Sequence, residues 1–228
     1  MNPLRLVSWD VDGTLYDLRA VRRRIFGRVT GRLLRGRLAD IREFRALLGY
    51  RSWIEAARRR AGRLPTPGSG PERARLLAAE QRWYGPAIHR TGPRPGLVEL
   101  LDDLAAAGIP RVAFSDYVAG YKLEALGIRD RFDAVYEGEL FGFVKPSPEG
   151  FHRIAADFHV AAESILHIGD RADTDGAACV SAGCRCLILG RDVADIHALR
   201  RRLPVRRAPR NDAHVVHSPG RPGSGGTP

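Results

Sequence analysis

Lysine is almost absent from this chain, although the chain is strongly basic. Lys122 and Lys145 are the only lysines among 37 basic residues, and the formal net charge is +11. Lysine and arginine are not interchangeable, because lysine carries a compact ammonium whereas arginine carries a planar fork of donors. A lysine in so arginine-rich a chain is therefore a candidate for a position that needs a single-point cation. Lys145, just before Pro146, fits this description; Lys122 falls in a predicted helix, so the rule alone gives it no role.

Long apolar runs and paired cysteines are also lacking. No apolar run approaches the ~20 residues that a membrane-spanning helix needs, and the N-terminus lacks the basic-then-apolar layout of a secretory signal. We therefore expect a cytoplasmic protein with no membrane partner. The three cysteines, Cys179, Cys184 and Cys186, lack a Cys-x-x-Cys spacing. This favours reduced packing residues over a zinc site or a disulfide framework.

The charge is unevenly distributed along the chain. Residues 17–92 contain 19 arginines and six acidic residues, whereas residues 1–16 and 93–199 together contain 19 acidic and 11 basic residues. The basic segment is a candidate for binding a polyanion or for steering an anionic substrate. From about Pro204 the chain is rich in Pro, Gly, Ser and Arg, which predicts a disordered basic tail over 204–228.

A short apolar run near the N-terminus ends on a carboxylate. Residues 6–9 read as a buried strand, and Asp10 leads at once into a loop that contains Asp12, Gly13 and Thr14. In an extended chain both acids can serve one centre, Asp10 by its side chain and Asp12 by its carbonyl or carboxylate. Paired buried acids need neutralisation, for which Mg²⁺ with its preference for oxygen ligands is suited. A solvated turn is the alternative for this motif alone.

A second acidic cluster also follows an apolar run. Residues 165–168 are followed by Gly169, Asp170, Asp173 and Asp175. In an open α/β sheet, the carboxyl ends of separate strands deliver their side chains to one edge. The two clusters together therefore favour a metal site over two independent turns.

The order of the motifs resembles that of the haloacid dehalogenase-like (HAD) hydrolase superfamily. The resemblance rests on Asp-x-Asp-Gly-Thr at 10–14, a strand that ends in Ser115, Lys145 before Pro146, and Gly-Asp followed by Asp175. It is strongest for the helical-cap, phosphoglycolate phosphatase-like branch. It implies an α/β fold: a three-layer, Rossmann-like core with a mostly parallel sheet over 1–16 and 93–203, and an inserted all-helical cap over 17–92.

Apolar spacing supports this division. Between 17 and 92 we find helical patterns and no convincing strand. The predicted cap elements are helices around 21–34, 41–48 and 53–57, a loop over 62–70 and a helix from Pro71. In the core, strands at 111–115, 132–136, 165–168 and 185–189 alternate with helices, which predicts a mostly parallel sheet.

The resemblance assigns roles to the motif residues. Asp10 would attack phosphorus and form an aspartyl-phosphate, and Asp12 would be the general acid and base, with a pKa above that of Asp10. Lys145 would offset negative charge, and Thr14, Ser115 and Lys145 would hold the phosphoryl group. Mg²⁺ would be held by Asp10, Asp12, Asp170 and Asp175. Asp173 could share the task of Asp175, and Arg171 and Asp116 depart from the common pattern of the family.

The implied function is a Mg²⁺-dependent phosphatase that acts on a small, anionic phosphomonoester. Asp12 distinguishes it from dehalogenases of this superfamily, which need no acid there, and the absence of lysine from 17–92 argues against phosphonate hydrolases. A phosphomutase shares the same core residues and stays open. The other alternative is a polyanion- or nucleic-acid-binding protein on the same scaffold, which thin aromatic interleaving disfavours. The sequence leaves substrate and oligomeric state open.

Overall fold

The computed structural model describes residues 3–60, 64, 71–203 and 205. Apart from Val205, the predicted disordered tail over 204–228 lies outside the described residues. The predicted loop over 62–70 also lies outside them, except for Leu64. None of the helices in the described part of the chain has both the length and the apolar character needed to cross a membrane.

A five-stranded parallel sheet forms the centre of the fold. In chain order its strands are β1 (Leu6–Trp9), β2 (Arg111–Ser115), β3 (Ala134–Glu137), β4 (Ile165–Gly169) and β5 (Arg185–Ile188). In space their order is β3-β2-β1-β4-β5. Trp9 of β1 pairs with Ala113 of β2 and with Ile168 of β4. The residues that follow these three strands therefore emerge at one edge of the sheet, and the predicted α/β class is confirmed.

Helices cover both faces of the sheet. One face packs on α4 (Leu97–Ala106), α5 (Gly120–Ala125) and α9 (Ile196–Arg202), and the other on α7 (Glu149–Asp157) and α8 (Ala177–Ala182). Strand β1 shows why: Val7 and Trp9 belong to the first apolar cluster, whereas Leu6 belongs to the second. Successive side chains of a strand point to opposite faces, so a fully buried strand such as β1 requires a layer on each side.

The described residues between β1 and β2 form four helices, and we name the first three the cap helices. These cap helices are α1 (Leu18–Leu34), α2 (Leu38–Arg58) and α3 (Pro71–Thr91). Asp17 caps α1, because its carboxylate accepts hydrogen bonds from the backbone N–H groups of residues 19 and 20. The cap helices pack on one another, and α3 also packs on α5 of the core.

Some element boundaries differ from the predicted ones. The predicted helical stretches at 41–48 and 53–57 are one continuous helix, α2. Gly49 does not interrupt it, because the buried Leu47 and Ile54 are seven residues apart on one side and keep the packing face continuous. Strand β3 begins at Ala134 rather than at Phe132, which is buried in the core instead. The short α6 (Gly138–Phe141) and α9 were not predicted.

The cap helices share an apolar core with the sheet. Val21, Trp83 and Ile88 of the cap belong to the same buried cluster as Trp9 and Leu97 of the core. The cap is thus held against the sheet edge by side-chain packing, which places residues of α1 and α2 above the ends of the strands.

Candidate active site at the carboxyl edge of the sheet

The first motif is shaped by a glycine. Asp10 directly follows β1, and its backbone N–H donates to the carbonyl of Ile168, 2.8 Å away. Gly13 has φ +102°, and a Cβ added there would lie 2.1 Å from Oδ2 of Asp170. Only glycine fits this position without strain, because it tolerates positive φ and leaves room for the second carboxylate. The loop thereby brings the first and fourth motifs together.

Lys145 joins two of the predicted carboxylates. Its Nζ lies 2.6 Å from Oδ1 of Asp10 and 2.6 Å from Oδ1 of Asp175, and the side chain is 1% exposed. Its backbone N–H donates to Oδ1 of Asp116 at 2.8 Å, which ties the Lys145 loop to the end of β2. A buried ammonium with two carboxylate partners is a fixed positive charge at the centre of the site.

Three carboxylates converge beside Lys145. Asp10, Asp170 and Asp175 each offer an oxygen, and these oxygens lie within 4.8 Å of one another. Asp175 is oriented by two further donors, since His167 Nε2 lies 3.2 Å from its Oδ1 and the N–H of Arg171 donates to its Oδ2 at 3.0 Å. His167 was not predicted, because a histidine within a buried strand gives no signal of its target.

The cluster carries more negative than positive charge. Burial raises the pKa of Asp10 to about 8, against the opposing effect of Lys145. Burial and then the charge of Asp175 raise the pKa of Asp170 to about 6. Burial alone would lower the pKa of Lys145, but Asp10 and Asp175 outweigh it and raise that pKa above its usual value. When all three carboxylates are ionised, they and the one ammonium carry a charge of −2, and this oxygen-rich set fits a divalent cation.

Asp12 has different surroundings from Asp10. Its Oδ2 lies 2.6 Å from Nζ of Lys122, and its Oδ1 accepts a hydrogen bond from the hydroxyl of Tyr16. Burial alone would raise the pKa of Asp12, but the charges of Lys122 and Arg51 outweigh it and hold the pKa well below the usual range. The predicted order, with the pKa of Asp12 above that of Asp10, is therefore wrong for this arrangement, because Lys122 was missed.

Lys122 belongs to the site, although the sequence analysis assigned it no role. It is fully buried, with an exposed fraction of 0%, and its Nζ is also 4.0 Å from Glu80 of α3. Glu80 in turn pairs with Arg51 of α2 at 2.8 Å. The scarcity of lysine was the available signal: both lysines of the chain lie at the site, each beside one aspartate of the first motif.

The predicted phosphate-binding hydroxyls make local contacts. Thr14 Oγ1 donates to Oδ2 of Asp10 at 3.0 Å, and Oγ of Ser115 accepts from the N–H of Tyr117 at 3.1 Å. Arg94, which was not predicted, donates to the carbonyls of Gly13 and Thr14 at 2.6 and 3.1 Å. It thereby fixes the first loop from the segment where the chain returns to the core.

The unusual Arg171 is held by two acidic residues. Its guanidinium lies 2.8 Å from a carboxylate oxygen of Asp173 and 3.4 Å from one of Glu55 in α2. Asp173 thus partners Arg171 and is not part of the three-carboxylate group. Arg171 connects the fourth motif to the cap.

A cavity of about 230 Å³ lies over these groups. We name it the catalytic cavity. Its walls come from the strand ends and from α1 and α2, and among the described residues they are Asp10, Asp12, Leu18, Arg22, Arg51, Glu55, Asp116, Tyr117, Lys145, Asp170, Arg171, Thr174 and Asp175. The cap therefore covers a site whose charged groups come mostly from the core.

Comparison with known proteins identifies a matching family and similar structures. A family model described as haloacid dehalogenase-like hydrolase matches residues 4–183. The chain is similar to phosphoglycolate phosphatase of Escherichia coli (strain K12), with 29% identity over 201 residues, 79% of each protein. It is similar in structure to the magnesium-bound HAD-hydrolase YfnB of Bacillus subtilis, with a TM-score of 0.63, 17% identity, and 90% of this chain and 100% of that one covered. A 2-haloacid dehalogenase of Pseudomonas syringae has a TM-score of 0.59 and 22% identity, over 82% and 86% of the two chains.

Proposed function

Because the chain belongs to the haloacid dehalogenase-like hydrolase family, we propose that it is a Mg²⁺-dependent phosphatase that hydrolyses a phosphomonoester through an aspartyl-phosphate. The predicted resemblance to this family is confirmed. The observation that carries the proposal is the contact of Asp10 with Lys145, beside the carboxylates of Asp170 and Asp175. Such a site combines a nucleophile, a fixed cation and ligands for a divalent ion.

The first half-reaction assigns a task to each of these groups. A carboxylate oxygen of Asp10 forms a bond to phosphorus while the bond from phosphorus to the alcohol oxygen breaks. Lys145 offsets the negative charge on Asp10 and on the phosphoryl oxygens, an effect that is strong in a buried site. Asp10 and Asp170, with support from Asp175, would hold Mg²⁺, which would supply further charge compensation.

Asp12 would give a proton to the leaving alcohol oxygen and then take one from the attacking water. Its carboxylate now contacts Lys122 and Tyr16, so this role requires it to turn from them toward the substrate. Because that carboxylate lies outside the three-carboxylate group, we assign its carbonyl rather than its side chain to the metal. Thr14 and Ser115 would contribute to phosphate binding from their loops.

The domain division is part of the proposal. We assign residues 1–16 and 93–203 to the catalytic core and 17–92 to the cap that encloses the substrate. The supporting observation is that Arg22, Arg51 and Glu55 of the cap line the catalytic cavity together with the motif residues.

The cap arginines favour a phosphatase over a polyanion-binding protein. Several are engaged inside the protein: Arg51 pairs with Glu80, Arg73 with Glu139, and Arg28 donates to the carbonyl of Trp83. Arginines with such partners stabilise the cap and present less charge to a nucleic-acid backbone. Asp12 favours a phosphatase over a dehalogenase, because an alkoxide leaving group needs a proton and a halide does not.

The proposal is tested by release of inorganic phosphate from p-nitrophenyl phosphate. We expect turnover with Mg²⁺, loss of turnover with excess EDTA, and recovery when Mg²⁺ is restored. Asp10→Asn should lower kcat by about 10³-fold or more with an unchanged circular dichroism spectrum, because it removes the nucleophile. Undiminished turnover of this variant would exclude the assignment of Asp10, and glucose-phosphate interconversion without phosphate release would indicate a mutase.

A further inference from the structure

A second cavity lies beside the catalytic cavity, among the cap helices. It has a volume of about 480 Å³, and we name it the cap cavity. The two cavities share the lining residues Arg22, Arg51, Glu55 and Tyr117, so they are adjacent there, and we name these four residues the neck. The cap cavity is thus the neighbouring space for the remaining atoms of a molecule whose phosphoryl group lies beside Asp10.

The chemistry of the two cavities differs. The catalytic cavity is lined mainly by charged side chains, whereas the cap cavity has mostly apolar and aromatic walls. These walls are Ile25, Phe26, Val29, Phe44, Leu48, Tyr84 and Tyr117. Phe26 is 73% exposed and Leu48 is 45% exposed, so apolar surface faces the open side of the cavity. Apolar surface in this position is a binding surface for an apolar group that a ligand would bury.

Arg51 at the neck is already neutralised. Its guanidinium lies 4.2 Å from the ring centroid of Tyr117 and 4.6 Å from that of Tyr84, and it pairs with Glu80 at 2.8 Å. A guanidinium stacked between two rings and paired with a carboxylate forms a rigid wall. Arg51 is therefore engaged by groups of the protein, and the ring of Tyr117 provides the aromatic part of a neck that also contains Arg22 and Glu55.

We propose that the substrate is the phosphate monoester of an apolar alcohol, with an alkyl or aryl group of about six or more carbons in the cap cavity. The inference rests on the proposed phosphatase function and adds its substrate class. A cavity of about 480 Å³ is in the range that binds ligands of drug size. A two-carbon phosphorylated acid such as phosphoglycolate is too short to cover these apolar walls and would leave them in contact with water.

The test is a series of n-alkyl phosphates, from methyl to octyl, assayed for phosphate release by the full-length protein with Mg²⁺. We expect kcat/KM to rise by about fourfold for each methylene from ethyl to hexyl, because each buried methylene adds a constant increment of transfer free energy. A kcat/KM that is flat or falls with chain length, or that is higher for phosphoglycolate than for hexyl phosphate, would overturn the substrate class.

Two exposed leucines of the cap provide a matched pair of variants. Leu48→Asp places a charge in the wall of the cap cavity, whereas Leu34→Asp places one on α1 at a side chain that is 83% exposed and does not line it. We expect Leu48→Asp to lower the ratio of kcat/KM for hexyl phosphate to that for methyl phosphate by about tenfold or more. The same ratio should be unchanged in Leu34→Asp; equal ratios in both variants would contradict the location.

Binding of n-alkylphosphonates separates this inference from the proposed function. These compounds carry a carbon–phosphorus bond and are not hydrolysed, so calorimetry reports binding alone. Affinity that rises from methyl- to hexylphosphonate, without hydrolysis of any phosphomonoester, would support the apolar site and reject the phosphatase. Hydrolysis of phosphomonoesters with no dependence of phosphonate affinity on chain length would support the phosphatase and reject the apolar substrate.

Discussion

The two aspartates of the first motif lie two residues apart and have opposite electrostatic surroundings. Around Asp10, the carboxylates of Asp170 and Asp175 outnumber the single ammonium of Lys145, and the pKa of Asp10 is raised. Around Asp12, the cations Lys122 and Arg51 balance Asp12 and Glu80, and the pKa of Asp12 is lowered. We name these two groups the Asp10 side and the Asp12 side.

The difference indicates where a metal ion is needed. The Asp10 side has an excess of negative charge in a buried place, and a divalent cation would relieve it. The Asp12 side is already neutral, so an additional cation there would gain little. The chain turns at residues 12–15, and this turn lets the side chains of Asp10 and Asp12 reach different lysines although only one residue separates them.

The largest expected effect comes from removing the one cation of the Asp10 side. Lys145→Met would leave Asp10 and Asp175 buried without their shared partner. We expect a loss of about 3–5 kcal/mol in the free energy of unfolding and a decrease in kcat of about 10³-fold or more, because a fixed charge at the phosphoryl group is lost. Urea denaturation and phosphate release measure the two quantities. A stability loss below about 1 kcal/mol would contradict the buried ion triad.

Lys122→Met is the matched change on the Asp12 side, and we expect a smaller effect. With Lys122 removed, burial of Asp12 is less opposed, so its pKa should rise above the present low value toward or past its usual 3.8. An ionised Asp12 without its partner is costly, so the variant should lose about 2 kcal/mol in the free energy of unfolding at pH 7, which is within the cost range for an unsatisfied buried group. Its kcat should decrease by about tenfold.

The pH and Mg²⁺ dependence of this variant sharpens the comparison. The stabilising contribution of a carboxylate with a lowered pKa is present above its unfolded value and is lost as the pH falls. The stability difference from the wild type should therefore shrink as the pH falls below about 3.8, the usual pKa of an aspartate. Saturating Mg²⁺ should restore stability to Lys145→Met but not to Lys122→Met. Equal restoration in both would mean that the two sides do not differ in their need for a cation.

The last expected effect concerns metal affinity in the unchanged protein: the dissociation constant of Mg²⁺ should depend on pH. Asp10 and Asp170, with pKa values of about 8 and about 6, must be ionised to bind the ion. The dissociation constant of Mg²⁺ should thus decrease as the pH rises from 5.5 to 8.5, by up to about tenfold per pH unit for each proton released. Calorimetric titration measures it. Lys122→Met should show the same profile, and a constant affinity over this range would show that ligand ionisation is complete below pH 5.5.

The sequence predicted the central strands β1 and β4 well because they are fully buried and mostly apolar. A strand that is buried on both faces is stable only between two helical layers. The convergence of Asp10 with Asp170 was also predictable, since parallel strands deliver their carboxyl ends to one edge. The joining of the two predicted helical stretches into the single helix α2 was not predictable, because the residues between them show no apolar period.

The contacts of single side chains could not be predicted from the sequence. Nothing local to Lys122 shows that α5 directs it at Asp12, and nothing local to Arg94 shows that it binds the carbonyls of the first loop. Such pairs lie 110 and about 80 residues apart along the chain. Their distances depend on how helices and sheet pack, which sequence periodicity does not specify.

The sequence alone determined the parallel α/β sheet, the helices between β1 and β2 and the acidic residues at the strand ends, because the burial pattern along the chain indicates which segments form strands and helices. Only the tertiary structure decided which carboxylate each lysine neutralises, and with it which aspartate is left with an excess of negative charge. The reason is that a pKa depends on every charge within a few ångströms, and those neighbours come from distant segments of the chain.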